Sequence, residues 1–366
     1  MAPIICYRCF ARFRPGEARF KCAYHKVHDT HLGPNAPLIF DGPRRRWWQR
    51  ECSHAACPRD TMMSGFRVCP RCHHDLPYHA GRSKQRLVAV VGISGSGKTL
   101  YIWGLLHQLR DQLAREDDPF VTPMFEDDGS YEYFQQLHAN LVRHHVLPQG
   151  TQARKQKDEG IPPVTVRCLR GRGKSVQMSN LVLYDPAGEL VHSLTNIQFL
   201  RYLEHAAGII YLVEPAGAAS MGERSRASEA LSHIVTSLRQ KEQRQNNRLP
   251  RIRKTLAVVL TKADEFVFPH HAQADLLPGG GTDPHFWRKF NATRQAAFRR
   301  SSDACREILR EMGHNNLLAV AEHSFTRTAY FTVSSLGSAL GPTGLVGTPS
   351  PIGVEHPLFW SLHHLG

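Results

Sequence analysis

The sequence predicts an α/β fold: a mainly parallel sheet with helices on both faces, preceded by a small module of a different kind. Three observations predict it. From Arg86 onward, strand-like and helix-like segments alternate along the chain. At the first strand-to-helix junction stands Gly92-Ile93-Ser94-Gly95-Ser96-Gly97-Lys98-Thr99, and seven of the nine cysteines lie before residue 73.

The glycine-rich segment follows the apolar run Leu87–Val91 and leads into Leu100–Leu109, whose apolar residues recur at helical spacing. It fits the pattern G-x-x-x-x-G-K-[ST]. In such a loop the backbone N–H groups of Gly92, Ser94, Gly95, Ser96 and Gly97 can close around phosphates. Lys98 reaches the outer phosphates and Thr99 offers a hydroxyl to Mg²⁺. The motif therefore implies a nucleoside triphosphate.

Predicted strands run over Arg86–Val91, Val164–Leu169, Val176–Tyr184, Gly208–Glu214, Thr255–Leu260 and Ala329–Ser334. Predicted helices cover Thr99–Ala114, Asn196–His205, Ser225–Gln240 and a long stretch from Asp283 to Met312. This order implies a P-loop NTPase fold, with ligands beyond the carboxyl ends of the strands. Residues 115–163 and 265–328 exceed a minimal nucleotide domain and read as insertions.

The cysteines come in spaced pairs. Cys6-x₂-Cys9 and Cys22-x₂-His25 make one tetrad in sequence order, and Cys52-x₄-Cys57 with Cys69-x₂-Cys72 makes another. Short-spaced thiolate pairs suit tetrahedral zinc, so one or two zinc ions are expected. Sequential tetrads give two loops of similar length, but a nested or cross-braced arrangement would use the same ligands in different pairings, and His28 and His31 compete with His25. Cys168 and Cys305 stand apart and read as buried, unreactive thiols. Residues 1–76 thus form a zinc-ribbon-like module with too few apolar stretches for a core of its own. Residues 77–84 form a turn-rich linker, and 85–366 the nucleotide domain.

No apolar run reaches the roughly 18 residues of a membrane span, and Met1–Phe10 lacks the order of a secretory signal, which predicts a cytoplasmic protein. The net charge of +14 and the run Arg44-Arg45-Arg46-Trp47-Trp48-Gln49-Arg50 favour an anionic partner, with nucleic acid among the candidates.

Two further motifs follow the loop in order. Leu181–Tyr184 ends in Asp185-Pro186-Ala187-Gly188-Glu189, a D-x-x-G element. There Asp185 can hold Mg²⁺ through water, and the Gly188 N–H can bond the γ-phosphate. Ala257–Leu260 runs into Thr261-Lys262-Ala263-Asp264, an [NT]-K-x-D element. Asp264 can accept from the guanine N1–H and 2-amino groups, a donor pair that adenine lacks, while the Lys262 stem covers the base. The nucleotide is therefore GTP or GDP.

Through GISGSGKT, DPAG and TKAD, the stretch from about Arg82 to Leu336 resembles the translation-factor-related class of P-loop GTPases. Within that resemblance Ser334-Ser335-Leu336 looks like the last base-contacting element, although it departs from the usual S-A-K. Thr261 replaces the commoner asparagine, as in dynamin-like members. The likeness implies that Lys98, Thr99 and Asp185 stabilise the transferring phosphoryl group and its Mg²⁺. It makes Thr151 a candidate switch threonine, with an ordinary loop residue as the alternative. Glu189 stands where Ras-like proteins carry a water-positioning glutamine, and its carboxylate would also repel phosphate.

With the zinc ribbon, the DPAGE element and the segment Val354-Glu355-His356-Pro357-Leu358-Phe359-Trp360, the chain is similar to bacterial double-GTPase proteins of conflict and phage-defence systems. This resemblance implies a GTP-hydrolysing switch, slow without a partner, and a protein partner such as a second GTPase or an effector. The alternative is a nucleic-acid-binding or scaffold protein with structurally bound GTP.

Overall fold

The computed structural model describes residues 3–6, 9–22, 39–40, 44–46, 49–50, 65–76, 80–81, 84–111, 122–125, 128–148, 164–170, 177–184, 197–215, 221–243, 251–281, 286–287, 290–341, 344–345 and 347–364. The chain divides into two compact units. One comprises Met1–Gln85 with Met178–Asn180, the other Arg86–Gln177 with Leu181–Gly366.

The first unit is built from short antiparallel strands. β1 (Ile4–Ile5) pairs with β2 (Arg12–Phe13), setting Ile4 against Phe13. β3 (Arg19–Cys22) lies between β4 (Ile39–Phe40) and the later β7 (Gly65–Val68), while β5 (Arg44–Arg46) and β6 (Gln49–Arg50) form a separate hairpin. Among its described residues, Ile4, Phe13, Ala18 and Ala80 pack around Cys6 and Cys69, and Phe10, Phe20 and Val68 are also buried.

The second unit holds a seven-stranded sheet. Its strands are β8 (Lys84–Gly92), β9 (Thr122–Phe125), β10 (Val164–Arg170), β11 (Gln177–Tyr184), β12 (Ala206–Val213), β13 (Ile252–Leu260) and β14 (Phe325–Thr332). They lie in the order β14-β13-β12-β8-β11-β10-β9. β8, β12, β13 and β14 run parallel, and β9 closes the far edge antiparallel to β10. Val88–Val91, Ile209–Val213 and Leu256–Leu260 are wholly buried along their lengths, because helices cover both faces of a parallel sheet.

The helices are α1 (Lys98–Asp111), α2 (Asp128–His138), α3 (Ile197–His205), α4 (Met221–Gln243), α5 (Ala263–Phe266), α6 (Gln273–Leu276), α7 (Ala292–Glu311), α8 (Asn315–Ser324) and α9 (His356–His364). The core packs Trp103, Leu106 and Leu109 of α1 with Leu358, Phe359 and Trp360 of α9 and alternate residues of the central strands. No helix among the described residues is long and apolar enough to cross a membrane.

The sheet contains every predicted strand, and three differences stand out. The long helix does not begin at Asp283: α7 starts at Ala292, because the Asn291 side chain accepts from the Arg294 N–H (3.0 Å) and caps it there. The last strand begins at Phe325 rather than Ala329. As an edge strand it has three polar residues in a row, Thr326-Arg327-Thr328, near its start, and these hide it from a search for apolar runs. The predicted insertion at 115–163 contains β9 and α2, the latter continued by a π-helical turn, Ala139–Arg143.

Candidate nucleotide site and cysteine centre

β8 ends at Gly92, and the chain turns through Ile93–Gly97 into α1. The turn is tight. A Cβ on Gly92 would lie 2.4 Å from Ser96 Oγ and 2.8 Å from the Leu212 carbonyl oxygen, so only glycine fits. Gly95 and Gly97 adopt φ of 85° and 78°, in the left-handed region. Buried Ser96 donates its hydroxyl to the Ile93 carbonyl (2.8 Å). The Lys98 ammonium, only 6% exposed, donates to the carbonyls of Gly92 (3.0 Å) and Ile93 (2.9 Å). Lys98 and Thr99 open α1, so the helix N-terminus faces the loop, an arrangement that favours a bound anion.

Parallel register then sets the TKAD element beside this loop. Leu212 of β12 pairs with Gly92, Val213 with Leu260, and Leu260 with Thr332. Glu214, Thr261–Asp264 and Val333–Leu336 therefore leave the sheet at the same edge. Both the N–H and the hydroxyl of Thr261 donate to the Val213 carbonyl (2.9 and 3.2 Å). The Ala263 N–H donates to Val333 (3.1 Å), and the Val333 N–H to Leu260 (2.9 Å).

Lys262 adopts φ 52°, an uncommon conformation for a side-chain-bearing residue. Burial raises the Asp264 carboxyl above its ordinary pKa; the Ser334 hydroxyl, the residue's own N–H and the Lys262 charge oppose that shift. The Ser334 oxygen in turn accepts from the Gly337 N–H (2.7 Å). Leu336 is buried beside it.

One residue at this edge was not assigned a role from sequence. Glu214 pairs with Lys262, and its Oε2 is 3.2 Å from the position of a Cβ on Gly95, so it lies between the TKAD element and the glycine-rich loop. The signal was present: an apolar strand ends in a charged residue at the ligand edge of a parallel sheet. Thr151, Asp185, Gly188 and Glu189 lie outside the described residues; β11, the neighbour of β8, carries the chain as far as Tyr184. Cys305 is buried and its thiol is pushed up to about 12 by desolvation, as expected of an inert cysteine.

In the first unit the sulfurs of Cys6, Cys9, Cys69 and Cys72 all lie within 4.8 Å of one another. The pairing is therefore nested rather than sequential, a correction to the tetrads read in chain order. Its cause is local. The Cys6 N–H donates to Ala11 (3.0 Å) and the Phe10 N–H to Cys6 (2.9 Å); the Cys69 N–H donates to His74 (2.9 Å) and the His73 N–H to Cys69 (3.0 Å). Phe10 and His73, each just after the second cysteine of its pair, both adopt left-handed φ, 54° and 57°.

Two like turns thus face each other. The equal x₂ spacing of the two Cys-Cys pairs, against x₄ in Cys52–Cys57, was the sequence signal for this match. Cys6–Cys72 and Cys9–Cys69 are 3.5 and 3.7 Å apart, close to the roughly 3.8 Å edge of a tetrahedral zinc tetrathiolate. Burial pushes the Cys9 thiol up to about 11. Burial also opposes ionisation of Cys69, but the N–H groups of Cys72 and Arg71 outweigh it and hold that thiol below its ordinary value. Four converging sulfurs with this geometry fit a structural zinc. Cys22 ends β3, whereas His25, Cys52 and Cys57 lie outside the described residues.

A phosphate loop after the central strand, a TKAD element two strands away and a serine steadying its aspartate define a P-loop domain of the GTPase type. Residues 86–340 match the model of the Double-GTPase 2 family. The match spans well over half of the chain and all of these elements, and the chain belongs to that family. Among solved structures it is similar to the Arl6 BBS3 small GTPase from Trypanosoma brucei with bound nucleotide analogue GppNp. That similarity has 11% identity and a TM-score of 0.32, covering 77% of this chain and 98% of the other. No curated protein matches the chain.

Proposed function

We propose that the chain is a Mg²⁺-dependent switch that binds GTP and hydrolyses it slowly, with a zinc-stabilised unit that engages a protein partner. The observation that carries this reading is the placement of Lys98 and Asp264 at one edge of one parallel sheet. A cation for phosphates and a carboxylate for the guanine donor pair there follow strands β8 and β13, which are separated only by β12.

In this reading Lys98 and the loop N–H groups hold the β- and γ-phosphates, and Thr99 and Asp185 are the ligands for Mg²⁺. The ion supplies neutralisation of developing phosphoryl charge. Glu189 orients the attacking water, and Thr151 and Gly188 respond to loss of the γ-phosphate. The zinc ligands are Cys6, Cys9, Cys69 and Cys72. On the resemblance to conflict-system proteins, the partner is a second GTPase or an effector, and the arginine that completes hydrolysis comes from it.

The test compares Mg²⁺-dependent binding and turnover of GTP and ATP on one sample, with zinc content measured on the same material. GTP preferred by at least tenfold, with slow turnover, is the expected outcome. Equal binding of ATP, or binding without turnover under all conditions, overturns the switch reading.

A further inference from the structure

The family match ends at residue 340, yet the segment after it is bonded to the base-reading loop. The Ser334 N–H donates to the Ile352 carbonyl (3.0 Å) and the Ile352 N–H returns to Ser334 (2.8 Å), while the Ser350 N–H donates to Leu336 (2.8 Å). These bonds satisfy backbone groups of a short loop that has left the sheet and has no strand partner there.

Contact is close throughout. A Cβ on Gly337, whose φ is 79°, would lie 1.9 Å from the Ser350 carbonyl oxygen. One on Gly104 of α1 would meet both Pro351 and the Ser335 carbonyl at 3.4 Å.

The segment is anchored at its other end. The hydroxyl of buried Tyr101, on the helix that follows the phosphate loop, donates to Val354 (3.0 Å). Trp287 Nε1 donates to His356 Nδ1 (2.9 Å), and burial lowers the His356 pKa, consistent with the neutral imidazole that this bond requires. Behind it Leu358, Phe359 and Trp360 of α9 are in the core.

We propose that Ser350–His356 is a positioning element for base recognition. Held by α9 and Tyr101, it fixes the loop 333–337, and through Ser334 it fixes the carboxylate of Asp264. Discrimination for guanine then depends on residues beyond the family's matched region, a proposal that rests on the guanine reading of Asp264. The segment touches no nucleotide itself. Its effect falls on the base half of the site and leaves the phosphate loop, which has its own internal bonds, in place.

The experiment uses the full chain and four ligands with Mg²⁺: GTP, ATP, ITP (which lacks the 2-amino group) and inorganic tripolyphosphate. In wild type, GTP should bind more tightly than ITP and ATP; absence of that preference overturns the guanine reading and this proposal with it. Ile352→Pro removes the N–H that bonds Ser334. It should weaken GTP binding about tenfold and shrink the GTP-to-ITP preference, with tripolyphosphate changed by less than about twofold. Tyr101→Phe, a milder change, should shift GTP in the same direction by about two- to threefold. If wild type prefers guanine and Ile352→Pro keeps that preference, the positioning role alone is wrong. Parallel loss of GTP and tripolyphosphate in both variants also overturns it, since that is general destabilisation.

Discussion

The two units of this chain reach order by opposite means. In the second unit, three adjacent strands are buried residue after residue, and helices close both faces. In the first, the described strands have two to four residues, and the apolar cluster of Ile4, Phe13, Ala18 and Ala80 also contains two cysteines of the four-sulfur cluster. One unit is specified by burial, which is distributed and tolerant. In the other, the described residues bring four donor atoms to one point, and a metal held there would make each of them indispensable.

That contrast predicts a double dissociation. The largest effect should come from Lys98→Ala, which removes the ammonium next to the phosphates: GTP affinity should fall by about thirtyfold or more, with zinc content and thermal stability unchanged, as read by calorimetry on one sample. A variant that also lost zinc would break the separation between the units.

Cys69→Ser should do the reverse. One mole of zinc per chain should be lost and the first unit should become protease-sensitive, while GTP affinity stays within about threefold of wild type. Limited proteolysis with and without a chelator reads this directly. Retention of zinc by the variant would contradict the nested tetrad.

The smallest effect should come from Glu214→Gln. Its pair with Lys262 is about one-third exposed, so its net contribution is modest. GTP and GDP should weaken together by about two- to fivefold, and the same substitution should do nothing further in a Lys262→Met background. A full effect in that background would mean that Glu214 acts on something other than the lysine.

Much of the second unit was legible from sequence because its signals are local. A glycine loop demands particular backbone angles within a few residues, and parallel strands buried on both faces read as continuous apolar runs. Lys98, Thr261, Lys262 and Asp264 belong to such motifs. Glu214 and Ile352 do not, since each acts through a partner brought alongside by register: Lys262 for one, the Ser334 backbone for the other. Nothing in the residue type of Ile352 marks it, because what it contributes is an N–H and a carbonyl.

The cysteine pairing was misread for a related reason. Proximity in sequence favoured sequential tetrads, whereas the chain matched two turns of equal geometry across most of the unit. α2 stayed hidden because its buried Phe134 and Leu137 are interspersed with glutamine, glutamate and histidine, so the apolar stripe is narrow.

The facing turns at Cys6–Cys9 and Cys69–Cys72 act as a clasp near the two ends of one long excursion of chain, which includes the arginine-rich hairpin of β5 and β6. Closing a loop costs entropy that grows only logarithmically with its length, so doubling the excursion adds only about 0.6 kcal/mol. A chain clasped in this way is free to lengthen, shorten or rewrite what lies between, provided the four sulfurs still meet.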